Sequence, residues 1–197
     1  MTDSTTWPAW LRPTNDSPDL REDSVLAGDL QSMAVGLTGL PTNNVRPRWQ
    51  AEPPKEPAID VDWCAIGVVN ESPAINPSVV HDGANGGTDT MTRQERLTVV
   101  ATFYGPRANS NAKLLRDGIW LAQNRDMLRR TGLVLRSAEG PTRSPELVNT
   151  RWRDRADVTL ELERMATRVY PVRNIASAPI TINGAQPAPQ SFIVSEE

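Results

Sequence analysis

Between Leu97 and Phe103 every second residue is apolar (Leu97, Val99, Ala101, Phe103), and the pattern stops at Gly105-Pro106. A period of two sustained over this length specifies a strand with one buried face. The period then changes. Ala108, Ala112, Leu115, Ile119 and Ala122 recur at helical spacing, while Lys113, Arg116, Asp117 and Arg125 fall outside that stripe. Proline suits the first turn of a helix, so Pro106 marks the switch. A strand passing into an amphipathic helix within a few residues leaves two apolar faces that can cover each other. This constrains the centre of the chain to a helix layer on a sheet. Gly132 reads as a helix cap after Arg129-Arg130, and Leu133 to Ala138 as the next strand. Val158, Leu160 and Leu162 then alternate with Asp157, Thr159, Glu161 and Glu163. Past Arg164 the apolar parity reads Met165, Thr167, Val169, which predicts a bulge or the point where the strand leaves its sheet.

Upstream, Leu26, Leu30, Met33, Ala34 and Leu37 give one helical stripe. Ser17-Pro18-Asp19 supplies start signals, and Gly36, Gly39 and Pro41 supply stop signals. Val45 to Gln50 reads as a short strand that Pro47 confines to an edge. Pro53-Pro54-Lys55-Glu56-Pro57 reads as a connector. Ile59, Val61, Trp63 and Ala65 alternate with Asp60, Asp62 and Cys64, a half-buried strand that continues through Val68-Val69. Residues 70–90 are rich in Asn, Ser, Pro and Gly and read as a long loop, either functional or ordered by binding. The element order predicts an α+β fold with two helices packed on one face of a mostly antiparallel sheet, and extended N- and C-terminal arms. The expected divisions are an arm at 1–18, a domain at 19–178 containing the 70–90 loop, and an extension at 179–197 with a terminal strand at Ser191 to Val194.

Seventeen prolines, placed mainly outside the central segment, agree with extended arms. A single cysteine, Cys64, leaves no intramolecular disulfide and no cysteine cluster for zinc, which fits folding in a cytoplasm. No run of about 18 apolar residues spans a membrane, and Met1-Thr2-Asp3-Ser4 does not resemble a signal peptide. The net charge of -3 conceals an asymmetry: residues 1–30 carry -4 and residues 106–155 carry +6. Nineteen of the 21 basic residues are arginine. Its planar fork suits carboxylates in protein interfaces at least as well as phosphates.

Candidates for chemistry are sparse. His81, the only histidine, adjoins Asp82, but neighbours in sequence rarely face each other as base and orienter, and no nucleophile accompanies them. Cys64 reads as a packing residue. Asp60/Asp62 and Glu161/Glu163 admit a magnesium site, yet spacing by two is what the solvent face of any strand shows. An acidic face lining a passage for DNA is the better functional reading. Gly83-Ala84-Asn85-Gly86-Gly87 lacks the Lys and Ser/Thr of a phosphate loop. Arg151, Trp152, Arg153 and Arg155 resemble a basic-aromatic nucleic-acid patch, although Asp154 interrupts it. No cofactor is expected. Trp7 and Trp10 lie in a segment without a periodic pattern and serve either their own domain or a neighbour.

The chain resembles the neck (tail) terminator proteins of tailed bacteriophages over about residues 20–178. The resemblance rests on the helix ending near Leu37-Thr38-Gly39-Leu40-Pro41, the strand entering Phe103-Tyr104-Gly105, and Ala108 and Ala112 in the helix that follows. It extends through Trp152 to Ile175, with the Arg168-Val169-Tyr170-Pro171-Val172 ending. It implies a non-enzymatic virion subunit, assembled in the host cytoplasm into a homo-oligomeric, hexameric ring. Such a ring caps the tail tube, meets the head-side connector or stopper protein, and lets DNA pass through its lumen without specific binding. On this reading Trp7, Trp10, Arg129, Arg130, Trp152 and Arg153 belong to interfaces, and Glu161 and Glu163 face the lumen. The alternative is a DNA-binding accessory protein using the Arg151–Arg155 patch with Trp152; a hydrolase comes third.

Overall fold

The computed structural model describes residues 10–15, 17, 18, 20–173, 177–182 and 190–195, the last two segments through their backbone pairing. Trp7, assigned above to an interface, lies outside them. In chain order the elements are α1 (Asp23–Thr38), β1 (Val45–Pro47), β2 (Trp63–Pro73), β3 (Ser78–Asp82), β4 (Thr88–Tyr104), α2 (Ala108–Gly118) and α3 (Ala122–Arg130). They continue with β5 (Leu133–Ala138), β6 (Thr142–Arg143), β7 (Glu146–Val148), β8 (Arg151–Arg153), β9 (Arg155–Pro171), β10 (Ser177–Ile182) and β11 (Gln190–Ser195). The fold is α+β, with a mixed, mostly antiparallel sheet. The chain divides into a larger unit, residues 19–76 and 93–166, and a smaller one, residues 1–18, 77–92 and 167–197.

In the larger unit the strands run in the order β1-β2-β4-β9-β5, with β6 also on β9. Only β1–β2 is parallel among the registers described, and β1 occupies the edge, where Pro47 forfeits no ladder bond. Leu97, Val99, Ala101 and Phe103 of β4 are fully buried beside Val158, Leu160 and Leu162 of β9. The α1 residues Leu26, Leu30 and Ala34 and the α2 residues Ala108, Ala112 and Leu115 close over them. Burial of this many apolar side chains is the main stabilising term of the unit.

Two glycines sit at close approaches in this layer, and at Gly105 the backbone requires one. A Cβ on Gly118 would sit 3.2 Å from Leu37 Cδ2, so its absence lets α1 approach α2 closely. Gly105, where β4 ends, has φ +102°, and a Cβ there would lie 2.6 Å from the Val61 carbonyl oxygen. Gly105→Ala should therefore destabilise the fold by about 2–3 kcal/mol, from strained backbone plus steric overlap. Urea unfolding would show this as a lowered midpoint at unchanged slope.

Several sequence expectations are corrected here. The start signal at Ser17 is spent elsewhere: its hydroxyl accepts the Val169 N–H at 2.9 Å, and α1 opens at Asp23. The second helix is broken by Trp120-Leu121 into α2 and α3. Ile59 and Asp60 form a turn, Val61 and Asp62 stay outside any strand, and the Asp62 carboxylate accepts the Arg107 N–H ahead of α2 at 2.7 Å. In β2 the core face is Cys64 and Ile66, leaving Trp63 on the other side. The parity of β9 does not slip, because Ala166 is buried and Met165 exposed. The irregular registers occur instead between Leu135 and Ser137 in β5, its neighbour, and between Val68 and Asn70 in β2, where β2 pairs with β4.

In the smaller unit β3 pairs antiparallel with Thr88–Thr92 of β4, so the expected 70–90 loop is largely hairpin. The Thr14 N–H donates to the Val169 carbonyl at 2.7 Å and the Val172 N–H to the Gly87 carbonyl at 3.2 Å. β10 and β11 form an antiparallel pair that covers the expected strand at Ser191 to Val194.

Candidate assembly surface

Strand alternation places Trp63, Thr102, Tyr104, Asp157, Glu161 and Glu163 on the sheet face turned away from the helices. This face is built from aromatic stacking and charge rather than aliphatic packing. Trp63 and Tyr104 stack with centroids 4.2 Å apart and planes 12° from parallel. The Arg153 guanidinium lies 4.7 Å over the Tyr104 ring. It donates to Glu56 at 2.6 Å and, through Nε, to Glu146 at 2.8 Å. Burial raises the Tyr104 hydroxyl above its ordinary pKa and keeps the ring neutral under the cation. Beside it, Arg155 pairs with Asp157 at 3.0 Å, and Thr102 bonds both Arg48 and Asp157.

The Arg153 clamp fixes the β7–β8 hairpin. Its turn residues Asn149 and Thr150 have φ of 45° and 68°, a primed turn whose twist matches that of the strands. Leu147 and Trp152 face each other across the ladder and are 60% and 71% exposed. The hairpin thus presents a large apolar pair to solvent from a rigid base. An exposed indole on such a base has the character of an interface anchor.

Arg153 was expected at an interface, but its side chain is 6% exposed and its charge is used inside the subunit. With Arg155 also paired, the free basic cluster of a nucleic-acid patch is reduced to Arg151 beside Trp152. Glu163 was expected to project negative charge. It is 10% exposed, accepts from Gln94 at 2.9 Å, and is flanked by Arg136 at 3.1 Å and Arg96 at 3.6 Å. Glu161 is half-buried on the same face. The face is therefore charge-balanced locally rather than uniformly acidic.

Across the sheet edge near α1, Arg164 forms a second buried centre. Its side chain, 7% exposed, donates to Glu95 at 2.7 Å and lies 3.5 Å from Glu22 and 3.6 Å from Glu71. It also donates to the Arg21 carbonyl at 3.3 Å, tying β9 to β2, β4 and the entry to α1.

On the helix side, Trp120, Leu121 and Met127 are exposed, with Leu121 at the corner between α2 and α3. The sequence reading missed them; Trp120 and Leu121 carry a signal only as apolar residues that break the helical stripe. Arg129 pairs with Asp126 at 2.6 Å, and Arg130 is exposed. Trp10 is 94% exposed.

The catalytic candidates are each engaged in local structure. Cys64 is buried in the core, and burial pushes its thiol pKa far up. His81 pairs across the hairpin with Asp89 at 2.8 Å. Among the described residues no group of three or more His, Cys, Asp or Glu is placed to hold a metal, and no helix is long and apolar enough to cross a membrane.

No curated protein matches the sequence. The family profile described as phage neck terminator protein matches residues 24–185, most of the chain and all of the layered fold. The match spans the clamped hairpin, the Arg153 centre and, apart from Arg21 and Glu22, the Arg164 centre. The chain belongs to the phage neck terminator protein family, and it is a structural protein of the virion neck.

Proposed function

We propose that the chain assembles as a homo-oligomeric ring, six subunits in number, that caps the tail tube and joins it to the head-side connector or stopper protein. The supporting observation is the pair Leu147/Trp152, held exposed on a clamped hairpin. Large apolar side chains fixed in solvent by a buried ion-pair network are suited to docking. Trp10 and its arm, with Trp7 in the preceding sequence, supply further anchors for neighbouring chains or for the tube protein. DNA passes through the lumen without specific binding. The β9 face with Glu161 and Glu163 lines the passage, and its balanced charge neither grips nor strongly repels phosphates.

A head-to-tail ring needs two different complementary patches. Residues 106–155, net +6, provide one, and acidic surface such as the 1–30 segment, net -4, provides the other. Light scattering on the purified chain should give a closed oligomer of about six subunits. The Arg129→Glu/Arg130→Glu variant should stay folded by circular dichroism while its assembly weakens at least tenfold, since reversed charges at a contact repel. Assembly as strong as wild type in this variant would remove α3 from the interface.

A further inference from the structure

We infer that the N-terminal segment 1–9 of one copy adds as a short strand to the open edge of β2 in the next copy, with Trp7 seated in the cleft between β2 and α1; the inference rests on the ring reading. β1 pairs with β2 only at Cys64, Ala65 and Ile66, and the Arg48 N–H, bonded to the Ile66 carbonyl at 2.8 Å, is the last backbone tie between them. Trp49 then takes a left-handed φ of 62° and the chain leaves the sheet. Among the described residues no backbone group pairs with the outer side of β2 from Gly67 to Ser72. Beside that row a cleft of about 570 Å³ is walled by Leu26, Ala27 and Leu30 of α1, Ile66 and Val68 of β2, and Trp49. A tryptophan in left-handed backbone is strained, and such strain gathers at ligand clamps. The Trp49 side chain is exposed at the cleft, its indole N–H donating to the Val68 carbonyl at 3.4 Å, so its ring can stack on an incoming one.

What the edge offers selects its occupant. A free row of backbone N–H and C=O groups is satisfied by an extended backbone, and an apolar cleft beside it takes a large side chain of that strand. The irregular register between Val68 and Asn70, with Pro73 at the end of the strand, keeps the row short and bent. That shape turns away the long flat edge of another sheet and suits a segment of a few residues. Residues 1–9 lie outside the described residues and read Met1-Thr2-Asp3-Ser4-Thr5-Thr6-Trp7-Pro8-Ala9. Thr5 and Thr6 favour a strand, Trp7 supplies the large side chain, and Pro8 ends the ladder directly after it. Fully extended, the segment reaches about 30 Å, against about 20 Å for the row from Gly67 to Ser72. Its root leads away from its own subunit. Trp10, Leu11, Arg12 and Pro13 are all exposed, and among the described residues the first backbone tie is the Thr14 N–H on the Val169 carbonyl. Arm and cleft are different surfaces of one subunit, so their contact is heterologous, propagates head to tail and closes when the rotation allows.

The experiment compares the full-length wild type with Trp7→Ala and Ser24→Trp by light scattering across a concentration series. Ser24 is exposed and lines the cleft, so an indole there fills the mouth without entering the core. Each variant should keep the wild-type circular dichroism and weaken subunit association about thirtyfold, the effect of losing one tryptophan anchor. In a second measurement, chains carrying the photo-cross-linker benzoylphenylalanine in place of Trp7 are mixed with wild-type chains grown in heavy nitrogen and irradiated. Mass spectrometry should find light position 7 joined to heavy residues within 23–30 or 66–71, the two walls of the cleft. If either variant fails to fold, this cross-link decides alone. A wild-type ring in which a folded variant assembles at wild-type strength overturns the contact and leaves the ring reading standing. So do cross-links confined to a single chain, or to residues outside those two stretches. A wild type that stays monomeric at every concentration overturns the ring reading, and this contact with it.

Discussion

Replacing Arg164 with methionine should cost the fold about 3 kcal/mol, and Arg164→Lys should recover only part of that loss. The guanidinium pairs with three carboxylates, Glu22, Glu71 and Glu95, and it also donates to the Arg21 carbonyl. Methionine fills similar volume but leaves the carboxylates facing one another, and removing one partner of a buried ion pair typically costs 3–5 kcal/mol. Glu22 and Glu71 are 40% and 51% exposed, so solvent screens part of their repulsion and the lower end of that range applies. Lysine restores charge without the planar fork that serves several acceptors at once. Urea unfolding of the three proteins would order them wild type, then Lys, then Met. Equal midpoints for wild type and Met would mean that the cluster contributes nothing net.

Arg153→Met should lower stability by a comparable amount, about 2–3 kcal/mol, and should also loosen the β7–β8 hairpin. The guanidinium stacks on Tyr104 while bridging Glu56 and Glu146, so its loss removes a cation–π contact and leaves two acceptors without their donor. The discriminating measurement is hydrogen exchange. Amides of residues 146–153 should lose protection at least tenfold more than those of the buried β4 core at residues 97–103. Uniform loss across both segments would mean that Arg153 supports the whole unit and does not specifically hold the hairpin.

What the sequence disclosed tracks which faces are buried. The β4 residues Leu97 to Phe103 were legible because a single core face repeats every second residue and the opposite positions remain distinct. β3 was not legible: all five of its residues are exposed, so no buried face imposes a pattern on Ser78 to Asp82. The side choice in β2 failed for a different reason. Trp63 looks like the natural core residue, but the Tyr104 ring and the Arg153 guanidinium create a second packed layer on the opposite face, and the smaller Cys64 takes the aliphatic side. Arg153 read as a free interface cation because one of its partners, Glu56, lies 97 residues away and cannot be paired with it by local spacing. The β7–β8 hairpin was hidden because its turn is Asn149-Thr150 rather than the Asn-Gly that usually announces a primed turn. Trp152 could still be singled out, since an indole among arginines at a strand end has few uses in a core.

Imaging the neck of intact virions with this subunit carrying a compact C-terminal label tests the central claim most directly. The account predicts a ring of label, six-fold around the tail axis, at the head-proximal end of the tail tube and in contact with the connector above it. Label on the capsid shell or at the distal tail tip, or a single asymmetric copy at the neck, would contradict it.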